Sequence, residues 1–261
     1  MPEVSARGVR FHVQQIGEGR ITAVFVHGLV MDNLSSFYFT LAAPAARGAR
    51  VMLYDLRGHG MSERTPAGYS LNDAVADLDG LLTALAIDHP VFLIGNSYGG
   101  LVALAFAAAH PRRVAGLALI DANRGAEGWG DRMAATLDLQ GEARDRQIAT
   151  SFAAWLGRGS VRKSNRLARA ARDLVEGTTL VAEMRASPGL AESQLRAVFT
   201  PTFAVYGEDS DVRADGEALA RLMPDCRLHI LPGCSHSVLW EKTAEVRDLI
   251  LEWLAGAGAR R

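Results

Sequence analysis

Gly-Asn-Ser-Tyr-Gly at residues 95–99 separates two apolar segments, and it decides the predicted fold. Residues 91–94 indicate a buried strand, and residues 101–109 indicate a buried helix. A Gly-x-Ser-x-Gly turn between a strand and a helix lifts the serine hydroxyl above the sheet edge, next to the first amides of the helix. Because the turn is so tight, only glycine avoids collisions at the flanking positions. Ser97 is therefore the predicted nucleophile.

A nucleophilic serine needs a histidine base, and that histidine needs a carboxylate to orient it. The chain has seven histidines. Among those after Ser97, His236 lies in a Gly/Ser-rich loop between a predicted strand and a predicted helix, whereas His110 ends a helix and His229 lies within a strand. His236 is therefore the predicted base.

The residues leave several candidates for the carboxylate. Residues 207–211 form a loop after a predicted strand and include Glu208, Asp209 and Asp211. We favour Asp211 over Asp209. Asp121 is a further candidate at the end of another predicted strand, although an aspartate there more commonly binds nearby backbone amides.

Two backbone amides are predicted to form an oxyanion hole. Attack of a serine on an acyl carbon places negative charge on the carbonyl oxygen, which such amides stabilise. One predicted donor is the amide of Tyr98, the residue after the nucleophile. The other is the amide of Leu29, which Gly28 exposes in the loop after the apolar residues 23–26. We interpret His27 as a structural residue whose ring holds this loop.

These motifs, with Asp-Leu-Arg-Gly-His-Gly-Met-Ser at residues 55–62, resemble the α/β-hydrolase fold superfamily over nearly the whole chain. The stretch is characteristic of the esterase-like, cap-bearing branch, in which it forms a structural loop beneath the site. The resemblance thus assigns Asp55, Arg57 and His59 to architecture. In family loops of the form Gly-Glu-x-Ser-Asp the second acidic position is the triad acid, which supports Asp211.

Strands and helices alternate along the chain, which predicts an α/β fold with a mostly parallel central sheet flanked by helices. The alternation stops between residues 122 and 198, where the periodicity is helical. We therefore predict an α/β-hydrolase core of residues 1–121 and 199–261 and a helical cap of residues 122–198. The predicted strands are 9–15, 21–26, 51–54, 91–94, 114–120, 202–206 and 227–231, and the predicted helices are 35–46, 71–85, 98–109, 216–223 and 243–254.

The cap is expected to set substrate specificity, because it covers the point where Ser97 and His236 emerge. Apolar cap residues supply the predicted substrate pocket. The pocket residues are Trp129, Met133, Phe152 and Trp155.

The cap is also rich in basic residues, with 12 Lys plus Arg against 9 Asp plus Glu. Six of the basic residues occur with no acidic residue between them. They are Arg158, Arg162, Lys163, Arg166, Arg169 and Arg172. The favoured interpretation is a solvated helix face. The alternative is a docking surface for an anionic partner, such as an acyl carrier protein or a coenzyme A thioester.

Composition favours a cytoplasmic protein that uses no metal or other cofactor. The 261 residues suffice for one domain with an insertion, and the net charge of −1 gives no drive towards nucleic acid or membrane. Two cysteines, Cys226 and Cys234, fit a reducing compartment. Residues 1–7 lack the apolar segment of a signal peptide, and residues 101–109 are too few to span a bilayer. No cluster of His, Cys and Asp has the spacing of metal ligands.

The favoured function is a serine hydrolase that cleaves a carboxylic ester or thioester of a small to medium acyl substrate through an acyl-enzyme. In this reading Ser97 attacks, His236 transfers the proton and Asp211 orients His236. A dehalogenase or an epoxide hydrolase of this fold would carry an aspartate in place of Ser97.

Two alternatives remain. Gly-Asn-Ser-x-Gly-Gly is similar to the elbow of carbon–carbon bond hydrolases of the meta-cleavage-product type. Those relatives usually have a Gly/Ser-rich loop after the first His-Gly and an aromatic residue after the catalytic histidine, where this chain has residues 29–32 and Ser237. The other alternative is a ligand sensor of low turnover on the same fold.

Overall fold

The computed structural model describes residues 3–139 and 161–258. These residues form an eight-stranded sheet in the order β1-β2-β4-β3-β5-β6-β7-β8. The strands are β1 (Glu3–Ala6), β2 (Val9–Ile16), β3 (Ile21–Val26), β4 (Ala49–Tyr54), β5 (Val91–Asn96), β6 (Val114–Ile120), β7 (Thr202–Gly207) and β8 (Cys226–Leu231). The pairs β1/β2 and β2/β4 are antiparallel, and every other pair is parallel.

Helices connect the parallel strands and cover both faces of the sheet. The helices are α1 (Ser35–Phe37), α2 (Ala43–Ala45), α3 (Leu71–Ala84), α4 (Tyr98–Ala109), α5 (Trp129–Leu137), α6 (Val161–Gly177), α7 (Leu180–Ala186), α8 (Glu192–Arg196), α9 (Arg213–Leu222), α10 (Val238–Glu241) and α11 (Thr243–Gly258). A π-helical turn, Tyr38–Ala42, joins α1 to α2. The α/β-hydrolase architecture predicted from the sequence is confirmed.

Two large apolar clusters form the core, one on each face of the sheet, and a third, small cluster joins Met31 to Leu167 and Ala171 of α6. Helices α3, α4 and α9 contribute to the first cluster, and α1 and α11 contribute to the second. Successive residues of β3 alternate between the clusters, because neighbouring side chains of a strand point to opposite faces. Strand β6 is buried along its whole length, which explains its continuous apolar sequence.

The sequence missed strand β1. This four-residue strand pairs with β2 across a tight turn in which Arg7 and Gly8 both have positive φ. Its residues are largely exposed, so they carry little of the hydrophobic alternation from which strands are predicted. The missed element lies at the sheet edge farthest from β8, away from the predicted site.

The described part of residues 122–198 contains helices α5 to α8 and no strand. Hydrogen bonds tie this segment to the rest of the chain. The carboxylate of Glu183 on α7 accepts the amides of Gly68 and Tyr69, and the hydroxyl of Ser187 accepts the amide of Leu71 at 3.1 Å. The division into a core and a cap at residues 122 and 198 stays a prediction.

None of the described helices combines the length and apolarity needed to cross a membrane. The cytoplasmic location stays a prediction.

The parallel strands determine where functional residues meet. Strands β3, β5, β6, β7 and β8 run in one direction, so their carboxyl ends lie at one edge of the sheet. Ligands of open α/β sheets bind at this edge. Ser97, Asp121, and the loop that carries His236 follow three of these strands.

Gly99 is expected to be essential for this packing. A Cβ atom at Gly99 would lie 2.0 Å from the carbonyl oxygen of Val26, whereas one at Gly48 would have no neighbour within 4 Å. We expect Gly99→Ala to lower the free energy of unfolding by at least about 2 kcal/mol, because a main-chain atom cannot move aside easily. Gly48→Ala is the matched control and should change it by less than about 0.5 kcal/mol. Urea unfolding measures both variants, and equal midpoints would contradict this account.

Candidate active site

Ser97 occupies a strained turn between β5 and α4. Its φ of 53° and ψ of −117° lie outside the regions that non-glycine residues favour. A Cβ atom at Gly95 would lie 2.4 Å from the carbonyl oxygen of Gly99, so the glycine permits the close approach of strand and helix. The turn therefore has the geometry that the Gly-x-Ser-x-Gly motif predicts.

The structure brings Ser97 and His236 together. The Oγ atom of Ser97 lies 3.0 Å from Nε2 of His236, within hydrogen-bond distance. His236 lies in the loop between β8 and α10. Glu241 holds this loop, because its carboxylate accepts the amide and the hydroxyl of Ser235, both at 2.7 Å. This geometry suits proton transfer between a serine and a histidine.

The carboxylate beside His236 differs from the prediction. Nδ1 of His236 lies 2.6 Å from Oδ2 of Asp121, whereas it lies 3.8 Å from the carboxylate of Asp211. The Asp121 side chain is fully buried, and that of Asp211 is 83% exposed. The assignment of Asp211 as the hydrogen-bonded acid is therefore corrected to Asp121. Asp209 is exposed, and Glu208 accepts the amide of Gly233 instead.

Asp121 reaches His236 because three neighbours fix its position. It follows β6 with a φ of 46°, and its amide donates to the carbonyl of Val205 at 2.8 Å. The amide of Gly207 donates to Oδ1 at 2.8 Å, and the hydroxyl of Ser210 donates to Oδ2 at 2.5 Å. A strand-end aspartate that binds nearby amides can thus orient a histidine as well. The position of Asp121 directly after a fully apolar strand was the sequence signal for this role.

Opposing effects set the protonation of His236. Burial alone would lower its pKa, but the hydrogen bond and the charge of Asp121, together with the charge of Asp211, raise it above the ordinary value of histidine. The charge of Asp211 therefore contributes to the raised pKa of His236, although Asp211 is not hydrogen bonded to the ring. A base of raised pKa remains protonated to a higher pH.

The predicted oxyanion loop leaves one amide available at its centre. The amide of Gly28 donates to Asp32 at 2.8 Å, and that of Val30 donates to His59 at 2.8 Å. Among the described residues, the amide of Leu29 has no hydrogen-bond partner. Tyr98 is the first residue of α4, where amides have no partner within the helix. Leu29 and Tyr98 remain the predicted oxyanion donors.

The ring of His27 holds the same loop, as the sequence predicts. Its Nδ1 lies 2.6 Å from the carbonyl oxygen of Gly28, and its Nε2 accepts the amide of Leu56 at 2.9 Å. Both ring nitrogens are occupied by the main chain, so His27 has no free atom for proton transfer.

A cavity of about 550 Å³ opens above Ser97 and His236. Leu29 and Tyr98 also line it, and residues of α5, α6 and α9 form its walls. Trp129 lies in the wall with its ring stacked on that of Tyr98, at a centroid distance of 5.9 Å. Of the predicted pocket residues, Trp129 and Met133 line the cavity, whereas Phe152 and Trp155 lie outside the described residues.

The cavity wall carries charges of both signs. Arg132 on α5 and Arg172 on α6 are its arginines, and its acidic residues are Glu176, Asp211 and Asp215. Asp215 forms an ion pair of 3.1 Å with Arg124, which offsets its charge. Arg132 and Arg172 are the arginine side chains of this cavity that can pair with an anionic group.

A second and smaller cavity of about 60 Å³ adjoins Ser97. Its lining includes Asp32, Asn96 and Trp240, and it shares Ser97 and His236 with the large cavity. Both spaces are thus open to the reacting atoms, and the larger one has room for a small organic molecule.

A sequence profile of the alpha/beta hydrolase family matches residues 23–249. The chain is 30% identical to the 2-hydroxy-6-oxononadienedioate/2-hydroxy-6-oxononatrienedioate hydrolase of Paraburkholderia phymatum, over 94% of this chain and 91% of that protein. The profile extends from β3 to α11 and includes Ser97, Asp121 and His236.

Solved structures of hydrolases share this fold. The meta-cleavage product hydrolase CumD of Pseudomonas fluorescens IP01 matches with a TM-score of 0.82 and 21% identity, covering 98% of each chain. A carboxylesterase structure from the thaumarchaeon Nitrososphaera gargenis matches with a TM-score of 0.75 and 25% identity over the full length of both chains. Enzymes that act on different bonds thus share the architecture seen here.

Substitution of the two aspartates tests which one orients His236. Asp121→Asn should lower kcat about 10³- to 10⁴-fold, as expected when the carboxylate partner of a catalytic histidine is lost. It should also move the acid limb of the pH profile of kcat/KM to lower pH, because losing the negative charge lowers the pKa of His236.

Asp211→Asn is the matched control for the same measurement. It removes one charge without removing a hydrogen bond, so the acid limb should move in the same direction by less, and kcat should fall by less than about tenfold. A larger loss of kcat in Asp211→Asn than in Asp121→Asn would restore Asp211 as the acid.

Proposed function

The chain belongs to the alpha/beta hydrolase family, and on that premise we propose that it hydrolyses a carbon–carbon bond next to a ketone carbonyl in a 2-hydroxy-6-oxo-dienoate. The observation that carries this proposal is the similarity to the Paraburkholderia phymatum hydrolase, which extends over nearly the whole chain. The hydrogen-bonded series Ser97–His236–Asp121 at the base of a cavity supports it.

In the first step, Ser97 attacks the ketone carbon at position 6. Its hydroxyl proton passes to Nε2 of His236, and Asp121 stabilises the imidazolium that results. The carbonyl oxygen becomes an oxyanion, and the amides of Leu29 and Tyr98 are the donors proposed to bind it.

The second step breaks the bond between C5 and C6. This bond can break because the substrate has shifted, before the first step, from its dienol form to its keto form, in which C5 carries the added proton. The electrons of the broken bond then pass into an enolate conjugated with the 2-oxo acid, so the leaving carbon is not a free carbanion. His236 returns its proton to the leaving group, and a water molecule that His236 deprotonates then cleaves the acyl-enzyme. The sum is substrate plus water giving a carboxylic acid and a 2-hydroxydienoate.

The cavity offers cationic groups for the substrate carboxylate. Arg132 and Arg172 lie on two different helices of the wall, and the carboxylate of a 2-hydroxydienoate is the group that they can bind. Binding of the carboxylate in the same cavity as Ser97 would orient the reacting carbonyl, which lowers the entropy cost of the reaction.

Hydrolysis of a carboxylic ester is the second candidate. Residues 29–32 and Ser237 depart from the carbon–carbon hydrolases in the features noted above, and the similarity to the Nitrososphaera gargenis carboxylesterase covers the full chain. An ester uses the same acyl-enzyme but needs no delocalised carbon leaving group, so Ser97 and His236 suffice.

The carrier-linked thioester and the ligand sensor stay predictions. Arg158 lies outside the described residues, and of the basic cluster the side chains of Arg169 and Arg172 are described. Arg172 lines the cavity and is exposed, which is compatible with binding either a substrate carboxylate or an anionic carrier.

A substrate panel tests the proposed function. Wild type and Ser97→Ala would be assayed with 2-hydroxy-6-oxohepta-2,4-dienoate, with p-nitrophenyl esters of two to twelve carbons and with acyl-coenzyme A thioesters. We expect the dienoate to have the highest kcat/KM, followed by loss of its visible absorption, and we expect Ser97→Ala to abolish turnover of every substrate.

The ranking of substrates decides between the candidates. A higher kcat/KM for oxygen esters would make the protein a carboxylesterase, and a preference for thioesters would favour the carrier-linked reading. Barely detectable turnover of the whole panel by wild type would contradict an enzymatic role for these bonds and favour the sensor.

Arg172 tests the recognition of the substrate carboxylate. Arg172→Gln should raise KM for the dienoate about tenfold and leave an uncharged p-nitrophenyl ester nearly unchanged, because the ester has no carboxylate to lose. Arg169→Gln is the matched control, since Arg169 is an exposed residue of the same helix that does not line the cavity. Equal effects of the two substitutions would contradict this role.

A further inference from the structure

We propose that His59 is a positioning residue for the oxyanion hole, because it holds Val30 in a left-handed backbone conformation and thereby fixes the amide of Leu29. This inference rests on the proposed reaction of Ser97 with a carbonyl group. It goes beyond the assignment of His59 to the architecture of the loop at residues 55–62.

Val30 has a backbone conformation that its side chain disfavours. Its φ is +65°, in the region where a β-branched residue is a clear outlier. The amide of Met31 donates to the carbonyl of Leu29 at 2.9 Å, so Val30 is the central residue of a positive-φ γ-turn, which is rare and strained. Such a turn persists only when its surroundings hold it in place.

His59 supplies the contact that holds this turn. Its Nε2 accepts the amide of Val30 at 2.8 Å, and its Nδ1 donates to the carbonyl of Arg57 at 2.8 Å. The two partners fix the tautomer, because an amide can only donate and a carbonyl can only accept. His59 therefore works as a neutral ring with its proton on Nδ1.

The surroundings keep His59 neutral. The ring is buried, and the His27 ring lies 5.3 Å away between centroids. Burial lowers the pKa of His59 to about 3, and the neighbouring His27 ring acts in the same direction, although the bond to Arg57 opposes this. Nε2 thus remains an acceptor over the whole pH range in which the His236 base is active.

The γ-turn links Val30 to the predicted oxyanion donor. Leu29 is the first residue of the turn, and its own amide has no partner among the described residues. If Val30 relaxed to negative φ, the peptide group between Leu29 and Val30 would rotate, and the Leu29 amide would lose its present orientation. His59 itself does not line the cavity above Ser97, so it acts through the loop and not on the substrate.

His59→Asn tests this inference directly. The amide group of asparagine can replace the Nδ1 donor to Arg57, but it leaves the Val30 amide without its acceptor. With the best substrate of the wild type, we expect kcat to fall about 10²- to 10³-fold, as on removal of one oxyanion donor, with KM changed less than about threefold. Affinity for a boronic acid that adds to Ser97 should fall by a similar factor.

His59→Gln is the matched variant, because its side-chain oxygen can occupy the place of Nε2. It should keep kcat within about tenfold of wild type. The acid limb of the pH profile, which reports His236, should be unchanged in both variants. A shift of this limb in His59→Asn would place the effect at His236 and overturn the proposal.

Val30→Gly supplies a rescue that a merely structural role of His59 would not show. Glycine adopts positive φ without strain, so the turn would depend less on the hydrogen bond from residue 30 to His59. Added to His59→Asn, it should recover at least about tenfold in kcat relative to His59→Asn alone. Loss of kcat in His59→Asn without recovery in the double variant would overturn the proposal, and so would unchanged kcat in His59→Asn.

Misfolding of a variant and failure of the proposed function can each be separated from failure of the proposal on His59. If His59→Asn fails to fold, as judged by circular dichroism, His59→Leu replaces it, because leucine also leaves the Val30 amide without its acceptor. A boronate affinity of His59→Leu equal to that of His59→Gln would then contradict the role of His59. If wild type turns over no substrate of the panel, the proposed function fails, whereas boronate binding to Ser97 still tests the role of His59.

Discussion

The buried carboxylate of Asp121 connects the parts of the protein on which the site depends. It accepts hydrogen bonds from Gly207 at the end of β7 and from Ser210 in the following loop, and it lies 2.6 Å from His236 after β8. A carboxylate without partners in a fully buried position would cost several kcal/mol. Its partners therefore stabilise the junction of β6, β7 and β8, and the same contacts set the orientation of the histidine beside Ser97.

Three of the five described non-glycine residues with positive φ lie where the reaction is proposed to occur. Ser97, Asp121 and Val30 all have positive φ although none of them is glycine. Each such residue costs of order 1–3 kcal/mol and persists only where neighbours over-determine its conformation. Here the neighbours are the close packing of β5 on α4, the hydrogen bonds around Asp121, and the ring of His59. Rigid elements thus place the Ser97 hydroxyl, the His236 ring and the Asp121 carboxylate at one sheet edge. The cavity walls from α5 and α6 add side chains that can select a substrate.

Much of the core could be predicted from the sequence because its signals are local. Seven strands follow from short apolar segments, and the turn at Ser97 follows from glycines within two residues of it. The sequence missed β1, whose exposed residues have no clear alternation, and it favoured Asp211, which belongs to a motif that resembles the family's acid loop. Asp121 was only a weaker candidate in the sequence. An aspartate at a strand end commonly binds nearby backbone amides, and the residues around it in sequence do not show whether it also orients a histidine.

The sequence by itself determined the fold class, the serine turn and the histidine loop, since each depends on residues within a few positions of one another. Only the tertiary structure decided which carboxylate contacts His236, because Asp121 and His236 are separated by 115 positions and the outcome depends on differences of about 1 Å between loops of neighbouring strands. The tertiary structure also decided the left-handed turn at Val30, whose amide donates to the ring of His59, 29 residues away in sequence. Periodicity and turn chemistry act along the chain, whereas the burial of a charge and the filling of a hydrogen bond depend on what the fold brings into contact.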